Sequence, residues 1–470
     1  MISYFKANDP YRILGVFLLL VVIRLPILLS DLPMILPELK WLLIGEKLAN
    51  GALMYRDVWD YASPLSSFVY KWLNVIFGRS AIPLQVFSTI LVIFQAGIFN
   101  KMMLNNKAYN QNTYVPAFVY MILMNSYFDF MTLSPVLMSM TFNLLAMNNL
   151  FKRMDNTTRD ELFVFTGIYL GVATLFYLPS VLFFLFTILS LLLYTGSILR
   201  RMLLLIYGYV IVLILCSIHY YWYDGALRFH EYFYGSLFEL SNNYWLTPGG
   251  LLMSSAIPFL LLVLSIVKTW QEGRFVNFQI KIQYVMLFFL LAGVISMFMV
   301  KDISTFQLIF FVPSTAFFIT HYLLIIKNWI LAEGTTALII VAVVFNFLLT
   351  YNGWVFFNQF ANHDKLNIVE SNYERLVEGK KIVVIGEELS HYKNAKLATP
   401  FLNWQQSSKW LENPNYYDNI TLIYTKLSED LPEVIIDEKR VMNEIFEKLP
   451  LISNQYELKR LEDDIYLKKN

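Results

Sequence analysis

Charged residues are scarce in this sequence, and their scarcity excludes most classes of soluble protein. Only 15% of the 470 residues are Asp, Glu, Lys or Arg, whereas 57% are hydrophobic and the mean hydropathy is +0.52. Soluble domains carry about 25% charge and about 45–50% apolar residues. The composition therefore predicts a polytopic membrane protein. The formal net charge of +1 indicates no basic surface of the kind that binds nucleic acid, so we expect no nucleic-acid partner.

Cysteine and histidine are also scarce, which limits disulfide and metal chemistry. The single cysteine, Cys216, lies inside an apolar run, so no disulfide can form within the chain. The five histidines show no metal-ligand spacing such as HExxH, and no GxxxxGK[ST] phosphate loop is present. A zinc-protease motif and a nucleotide-binding loop are thus both excluded.

Long apolar runs dominate the chain up to about residue 353. A helical span needs roughly 17–25 apolar residues, and on this criterion we predict about eleven spans. They lie near 12–30, 81–103, 113–128, 132–151, 161–178, 180–198, 202–221, 249–267, 283–300, 304–326 and 335–353. The first run follows Lys6 and Arg12, and no small-residue cleavage site comes after it. We therefore expect a retained span there rather than a signal peptide.

Basic residues alternate between successive loops, and this alternation predicts the orientation in the membrane. One set of loops holds Lys101, Lys107, Lys152, Arg153, Arg159, Arg200, Arg201, Lys268, Arg274, Lys281 and Lys327. The opposite short turns, 129–134 and 179–180, hold no basic residue. Loops rich in Lys and Arg face the cytoplasm. We therefore expect a cytoplasmic N-terminus and an extracytoplasmic segment after residue 353.

The composition changes after about residue 351, where charge rises sharply. We predict strands over 381–386, 420–424 and 433–436, a helix over 441–448 and a strand pair within 456–467. Strands that alternate with helices indicate a small α/β domain. The predicted domains are therefore a transmembrane domain, 1–353, and an extracytoplasmic α/β domain, 354–470.

The loop over 30–80 concentrates carboxylates between two apolar runs. It is far longer than the usual connection of about 2–8 residues, and its carboxylates are Asp31, Glu38, Glu46, Asp57 and Asp60. Residues 37–49 and 64–77 each begin with proline and end at glycine, which is typical of helices. We predict two surface helices here. The apolar residues of the first helix suit a position on the membrane surface: Leu39, Leu42, Leu43 and Leu48.

This loop resembles the first external loop of the GT-C glycosyltransferases, multi-span enzymes that use polyprenyl-phosphate sugars. The matching residues are Pro37-Glu38, Gly51, Tyr55, Asp57, Ser63-Pro64-Leu65 and Phe77-Gly78-Arg79-Ser80. The family usually has Asp-Glu where this chain has Pro37-Glu38. The role of that aspartate would fall to Asp31, Glu38 or Asp57. The resemblance is good over roughly residues 10–105, and beyond them it rests on topology, on the turn at Lys301 and on the α/β domain.

The resemblance implies a membrane glycosyltransferase that moves a sugar, with inversion, from a polyprenyl phosphate to a glycan, lipid or protein acceptor on the outer face. The catalytic candidates are Glu38, Asp57 and Asp60, because a carboxylate must deprotonate or position the acceptor hydroxyl. The plainer alternative is that these are solvated charges that cap helices or pair with nearby basic residues. Some families of this type need a divalent metal such as Mg²⁺ or Mn²⁺, so a metal cofactor stays open, and its ligands are unknown.

Basic and aromatic residues supply the candidates for binding the donor phosphate or its sugar. These candidates are Lys301, Arg228, His230, Glu231 and Arg56. Lys301 lies in a short outward turn where GT-C proteins often have a basic residue, and snorkelling at the membrane edge is its alternative explanation. The others, apart from Arg56, lie in the loop 222–248, which is rich in Tyr, Trp and Phe. An ordinary aromatic belt at the membrane interface would also explain that loop.

Two other functional classes remain open. A non-catalytic GT-C-like component of an envelope or secretion assembly would use the α/β domain for docking to a membrane protein partner, and the departure at Pro37 favours it. A transporter fits less well, because the chain has few central charges and no matched halves. The expected partners are a polyprenyl-phosphate-linked sugar, membrane lipid and a glycan or protein acceptor. The expected location is a bacterial inner membrane, with the C-terminal domain in the periplasm.

Overall fold

The computed structural model divides the chain into two compact units. It describes residues 1–29, 34–154, 160–194, 198–238, 243–244, 247–272, 275–300, 302–352, 366–369 and 371–469. Unit 1 contains Met1–Leu32, Ile82–Cys216 and Leu240–Leu366, and unit 2 contains Pro33–Ala81, Ser217–Glu239 and Asn367–Asn470. The first loop thus belongs to the same unit as the C-terminal segment. The predicted domain boundary at 353–354 lies outside the described residues and stays a prediction.

Unit 1 is helical. Its α-helices are Ile2–Lys6, Arg12–Leu29, Ile82–Asn105, Val115–Leu123, Pro135–Met154, Glu161–Phe176, Val181–Tyr194, Ile198–Trp222 as far as Cys216, Pro248–Glu272, Asn277–Ser296, Val312–Ile325 and Trp329–Asn352. Its 3₁₀ helices are Phe128–Met131, Leu178–Ser180, Met297–Met299 and Thr305–Phe311. The short strand Asn243–Tyr244 pairs in parallel with Asp302–Ile303. The fold of unit 1 is therefore built by packing of helices.

Burial separates the inner helices of unit 1 from the outer ones. Every residue of Val115–Leu123 is buried, so this helix lies inside the unit. Arg12–Leu29 buries only Val16, Leu20 and Arg24, although all its residues except Arg12 and Arg24 are apolar. An apolar face without protein contacts suits contact with lipid chains.

The structure has a helix at every position where the sequence predicts a span. Within the described residues, seven helices are long and apolar enough to cross a membrane. They are Arg12–Leu29, Ile82–Asn105, Leu199–Trp222, Pro248–Gln271, Asn277–Met299, Thr305–Ile325 and Trp329–Leu349. The apolar helices Glu161–Phe176 and Leu178–Tyr194 are shorter. The membrane fold is thus helical as predicted, whereas the count of about eleven spans stays a prediction.

The C-terminal part of unit 2 contains a five-stranded sheet. In sheet order the strands are Lys396–Leu397, Lys381–Ile385, Val434–Asp437, Asp464–Lys468 and Tyr456–Arg460. The first three are parallel, and the last two form an antiparallel hairpin beside them. Helices of this part are Glu374–Val377, Trp404–Leu411, Tyr417–Glu429, Met442–Lys448 and Pro450–Ser453, with the 3₁₀ helix Leu389–Tyr392. The predicted α/β character is confirmed, as are the strands over 381–386 and 433–436, the helix over 441–448 and the strand pair.

One predicted strand is wrong. Residues 420–424 lie inside the helix Tyr417–Glu429. The short apolar run there was ambiguous, because such runs occur in strands and in buried helix faces. Ile423 and Leu427 are buried and lie four residues apart, which is a helical spacing.

The two predicted helices of the first loop are present as Leu36–Ala49 and Pro64–Phe77. They pack closely where Gly45 meets Tyr70, since a Cβ at Gly45 would lie 2.6 Å from the Tyr70 carbonyl oxygen. The ring of Trp41 stacks on that of Tyr70, with centroids 5.4 Å apart. The first helix is buried within unit 2 over 37–45. The leucines that suited a membrane surface therefore make protein contacts: Leu39, Leu42, Leu43 and Leu48.

The second loop helix, by contrast, keeps an apolar face exposed. Its buried side includes Ser66, Tyr70 and Leu73. Its exposed apolar residues are Phe68, Trp72, Val75, Ile76 and Phe77. A position of this helix along the membrane surface stays a prediction.

Candidate active site

Glu38 lies in the first turn of the helix Leu36–Ala49 and is 3% exposed. Its Oε2 accepts a hydrogen bond from the backbone N–H of Ile35 at 3.2 Å. The positive end of a helix dipole stabilises a carboxylate in this position. Burial, and then the charge of Glu38, raise the pKa of Tyr70 well above its ordinary value. Glu38 is therefore a fixed, buried carboxylate close to a neutral phenol.

Asp60 forms a buried ion pair with Lys40. The Asp60 Oδ2 lies 2.8 Å from the Lys40 Nζ, and the two residues are 1% and 6% exposed. The same oxygen accepts from Asn403 Nδ2 at 3.2 Å, and Oδ1 accepts from the backbone N–H of Ala62 at 2.8 Å. Both carboxylate oxygens of Asp60 are thus engaged by neighbouring groups.

Asp57 closes the turn that precedes Asp60 and pairs with Arg56. Its Oδ2 accepts from the backbone N–H of Leu53 and from Arg56 Nη2, both at 2.8 Å. Burial alone would raise the pKa of Asp57, but the hydrogen bonds from Arg56 and Leu53 outweigh it, so the pKa lies below its ordinary value. Tyr55, in the same turn, is fully buried with φ of +71°, a strained conformation for an aromatic residue. Asp57 is therefore an ionised carboxylate on a constrained turn.

Arg228 is stacked among aromatic rings. Its Cζ lies 5.1 Å from the ring centroid of Trp59, 4.6 Å from that of Trp410 and 5.7 Å from that of Tyr232. Its Nη1 donates to Glu231 Oε2 and to the Tyr232 hydroxyl, both at 3.1 Å. Cation–π attraction and these hydrogen bonds hold the guanidinium in place. Arg228 thus joins the first loop, the 217–239 segment and the C-terminal segment.

The remaining site residues predicted from the sequence make fewer contacts or lie outside the described residues. Arg56 Nη1 donates to the backbone carbonyl of Tyr223 at 3.2 Å, which ties the first loop to the 217–239 segment. His230 is exposed, and its ring lies 5.4 Å from that of Tyr234. Lys301 and Asp31 lie outside the described residues. Unit 2 therefore places Arg228 against the ring of Trp59, the residue before Asp60, with Glu231 paired to Arg228 and the Arg56–Asp57 pair on the preceding turn.

Unit 1 contains a buried carboxylate that sequence reasoning missed. Asp129 is 3% exposed, and its Oδ2 accepts from the hydroxyls of Ser304 and Thr305 at 3.0 and 2.6 Å. Its Oδ1 is buried and has no hydrogen-bond partner among the described residues. Burial raises the pKa of Asp129 to about 6, against the lowering effect of the Thr305 and Ser304 hydroxyls. An acid between Phe128 and Phe130, in a turn without basic residues, was the signal that could have identified it.

Arg24 supports the segment that carries Asp129. This buried guanidinium donates to Asn125 Oδ1 at 2.9 Å and to the backbone carbonyls of Met124 and Phe130 at 3.0 and 3.4 Å. Arginine can satisfy several acceptors at once because its five N–H groups point in fixed directions. Arg24 therefore fixes the chain on both sides of the turn rather than projecting a free charge.

An apolar cavity of about 240 Å³ lies beside the same segment in unit 1. Ser126, Tyr127 and Phe130 form part of its wall, and Phe311 and Val312 form another part. The cavity is therefore lined by residues that flank Asp129 and by residues that follow Ser304 and Thr305 in the chain. Its apolar lining suits a hydrocarbon chain better than a sugar.

The described residues do not provide a metal site. No group of three or more His, Cys, Asp or Glu side chains among them is placed to hold a metal ion. Asp60, Asp57 and Glu38 are instead engaged by Lys40, by Arg56 and by a backbone N–H group, respectively. A bound Mg²⁺ or Mn²⁺ does not fit these residues.

The fold is similar to those of several solved structures. ArnT from Cupriavidus metallidurans bound to undecaprenyl phosphate matches with a TM-score of 0.60 and 9% identity, over 97% of this chain and 98% of that chain. ArnT in the apo state gives 0.59 and 10%, over 96% and 97%. The Archaeoglobus fulgidus oligosaccharyltransferase tethered with an acceptor peptide gives 0.50 and 12%, over 98% and 74%. No protein-family model and no curated protein sequence matches the chain.

Proposed function

Because the chain has the fold of the GT-C membrane glycosyltransferases, we propose that it transfers a sugar from a polyprenyl phosphate to an acceptor. The observation that carries this proposal is the match along almost the whole chain to an enzyme solved with undecaprenyl phosphate. The acceptor would be a glycan, lipid or protein. The protein is an integral membrane protein, and we place the reaction on the outer face of a bacterial inner membrane, with the C-terminal segment in the periplasm.

The chemistry requires one proton acceptor and a stabilised leaving group. The acceptor oxygen attacks the anomeric carbon from the face opposite the phosphate, the bond from that carbon to the phosphate oxygen breaks, and polyprenyl phosphate leaves. A carboxylate takes the proton of the acceptor hydroxyl. Basic side chains stabilise the charge that develops on the phosphate.

Glu38 is our first candidate for the proton acceptor. Its burial and its place at a helix start fix the carboxylate, and fixed groups contribute most to proton transfer. Asp57, held ionised by Arg56, is better suited to orienting the acceptor hydroxyl. Lys301, Arg228 and Arg56 are the cations proposed for the donor phosphate, and His230 and Glu231 are proposed for contacts with the sugar.

The apolar cavity of unit 1 would suit the hydrocarbon chain of a lipid such as a polyprenyl phosphate. Its wall is almost entirely apolar, and an isoprenoid chain offers a matching surface. Asp129 lies on the same segment as Tyr127 and Phe130 of that wall. We propose that Asp129 interacts with the polar end of a lipid bound in this cavity.

Removal of the two loop carboxylate charges tests the proposal. Glu38→Gln and Asp57→Asn keep the side-chain shapes, so they separate chemistry from folding. The double variant should form about 10²–10⁴-fold less product, because a positioned acid–base group contributes about that much to the rate. Product is measured in membranes supplied with labelled polyprenyl-phosphate sugars, with the protein level determined in parallel.

A matched control changes an exposed carboxylate in the same way. Glu447 is exposed on the helix Met442–Lys448, and Glu447→Gln should leave product formation unchanged. Full product from the double variant would refute the catalytic assignment. It would favour the alternative, a non-catalytic GT-C-like component of an envelope assembly, to which the proline at position 37 already points.

A further inference from the structure

The C-terminal segment contacts the first loop at two consecutive residues, Trp59 and Asp60. The backbone N–H of Trp59 donates to the carbonyl of Pro400 at 2.9 Å, and the Trp59 ring meets Phe401 edge-on at 5.3 Å. At the next residue, Asp60 accepts from Asn403 Nδ2 at 3.2 Å. The contact between Asp60 and Asn403 joins residues that are 343 positions apart in the sequence. The conformation of the loop therefore depends on the C-terminal segment as well as on its own sequence.

The contact at Asp60 extends to the first loop helix. Asp60 binds Lys40 on that helix, and the pair is buried at 1% and 6% exposure. Lys47, about two turns further along the helix, pairs with Asp430 of the C-terminal segment. Lys40 and Lys47 lie seven residues apart and so share one helix face. That face is directed at Asp60 and Asp430, while Trp41 and Gly45 pack on the second loop helix.

A carboxylate bound in this way is suited to holding structure. Asp60 has a cation and an amide on Oδ2 and a backbone N–H on Oδ1. Loss of one partner of a buried ion pair is strongly unfavourable, because the other charge is left buried without compensation. A general base needs an oxygen within reach of the substrate proton, whereas both oxygens of Asp60 are taken by protein groups.

We infer that Asn403 is a positioning residue, which holds the Trp59–Asp60 segment through Asp60 in the geometry that sugar transfer requires. This inference rests on the proposed function and assigns Asp60 the role of anchor in place of the catalytic role that the sequence predicts for it. The C-terminal segment then contributes to the conformation of the first loop, since Asn403 is one of the two side chains that bind Asp60.

Asn403 has two separable roles. It is the N-cap of the helix Trp404–Leu411, where its Oδ1 accepts from the backbone N–H of Gln406 at 3.4 Å. Its Nδ2 donates to Asp60. Serine is as good an N-cap as asparagine, but its hydroxyl is too short to reach Asp60 from the same backbone position. Asn403→Ser therefore keeps the helix cap and removes only the contact with the loop.

The test compares the full-length wild type with Asn403→Ser in two measurements. Hydrogen exchange at the amides of Trp59 and Ala62 should become about 10-fold faster or more, because a hydrogen bond to a charged group is lost. The kcat for sugar transfer should fall by about 10- to 100-fold, with a smaller change in KM for the donor, since the lost hydrogen bond is to Asp60 and not to Arg56 or Arg228. The melting temperature should change little, because the cap is retained.

Asn419→Ser serves as the control, and the combination of Asn403→Ser with Asp60→Asn tests whether the two residues act through one contact. Asn419 donates to the backbone carbonyl of Asn413 on the exposed side of the C-terminal segment, and Asn419→Ser should leave exchange at Trp59 and kcat unchanged. Adding Asn403→Ser to Asp60→Asn should lower kcat no further than Asp60→Asn alone, because both act through one contact.

Unchanged exchange at Trp59 and Ala62 in Asn403→Ser would overturn the inference. Faster exchange with an unchanged kcat would also overturn it, since Asn403 would then hold structure without any effect on transfer. A wild type that forms no product, in which Asn403→Ser still loosens the loop, would instead refute the proposed function and leave the positioning of the loop standing.

Discussion

At the scale of a single residue, the buried carboxylate of Asp129 lowers the stability of the folded protein when it is ionised. Its carboxylate is buried in unit 1, and burial raises its pKa from 3.8 to about 6. The folded protein therefore binds this proton more tightly than the unfolded chain does. Stability is greatest below about pH 4 as far as this group is concerned, falls as the pH rises from about 4 to about 6, and stays lower above that range. The difference of about two pKa units corresponds to about 3 kcal/mol.

Asp129→Asn should therefore stabilise the protein at pH 7.5. The amide is neutral at every pH, and its oxygen can still accept from the Ser304 and Thr305 hydroxyls. We expect a melting temperature several degrees above that of the wild type at pH 7.5, and a smaller difference at pH 4.5. Thermal unfolding in detergent at the two pH values measures this. Glu447→Gln, at an exposed position, should show neither effect, and a less stable Asp129→Asn at pH 7.5 would contradict the assigned sign.

The same substitution should lower sugar transfer if Asp129 interacts with the substrate as an anion. Wild-type activity should then rise through about pH 6, where Asp129 ionises. Initial rates between pH 5 and pH 8 would show whether this rise disappears in Asp129→Asn. An unchanged pH profile would remove Asp129 from the proposed site and leave its effect on stability intact.

At the scale of an element, two helices of unit 1 pack through glycines. Gly167 and Gly171 lie four residues apart on Glu161–Phe176, which is the spacing of the GxxxG packing motif. A Cβ at Gly167 would overlap the backbone of Ile198–Trp222 at the Leu205 carbonyl. Where helices approach this closely, only glycine fits between the backbones.

Alanine at Gly208 tests this packing from the opposite helix. A Cβ there would overlap the Val164 carbonyl of Glu161–Phe176, so Gly208→Ala should force the helices apart and destabilise the protein by about 1–3 kcal/mol. Gly97 is the matched control, because no atom lies within 4 Å of a Cβ added there. Gly97→Ala should be neutral or slightly stabilising, since alanine has the higher helix propensity. Equal melting temperatures for the two variants would contradict close packing.

Local sequence patterns predicted most helices and strands correctly. They could not predict contacts between residues that are distant in the sequence. The helices of the first loop follow from prolines and glycines at their ends, and the strands Lys381–Ile385 and Val434–Asp437 follow from short apolar runs. The same kind of apolar run gave a wrong prediction at 420–424, because only the residues that pack against it decide between a strand and a helix. Asp129 and its hydroxyl donors are 175 and 176 residues apart in sequence, so no local pattern could connect them.

For the whole molecule, the predicted likeness to the GT-C glycosyltransferases is confirmed as a likeness of fold. The sequence pattern that predicted it lies mostly in the first loop, and that loop is built into unit 2 with the C-terminal segment. The burial of the first loop helix was missed because, besides packing on the second loop helix, it contacts Leu397 and Asp430 far along the chain. No local pattern in the sequence connects Lys47 with Asp430, which lie 383 residues apart.

The orientation of the chain in the membrane is the remaining prediction at this scale. Loops that carry Lys and Arg alternate with loops that carry none, which predicts the side of each loop. Reporter fusions after Lys327 and after Asn362 should report opposite sides, because the apolar helix Trp329–Asn352 lies between them. A reporter that is active only in the cytoplasm and one that is active only outside should give reciprocal results at the two positions.

Both fusions on one side would place that helix along the membrane or outside it. The loop 30–80 and the C-terminal segment would then no longer be expected on the same face, although the structure holds them together through Asp60 and Asn403.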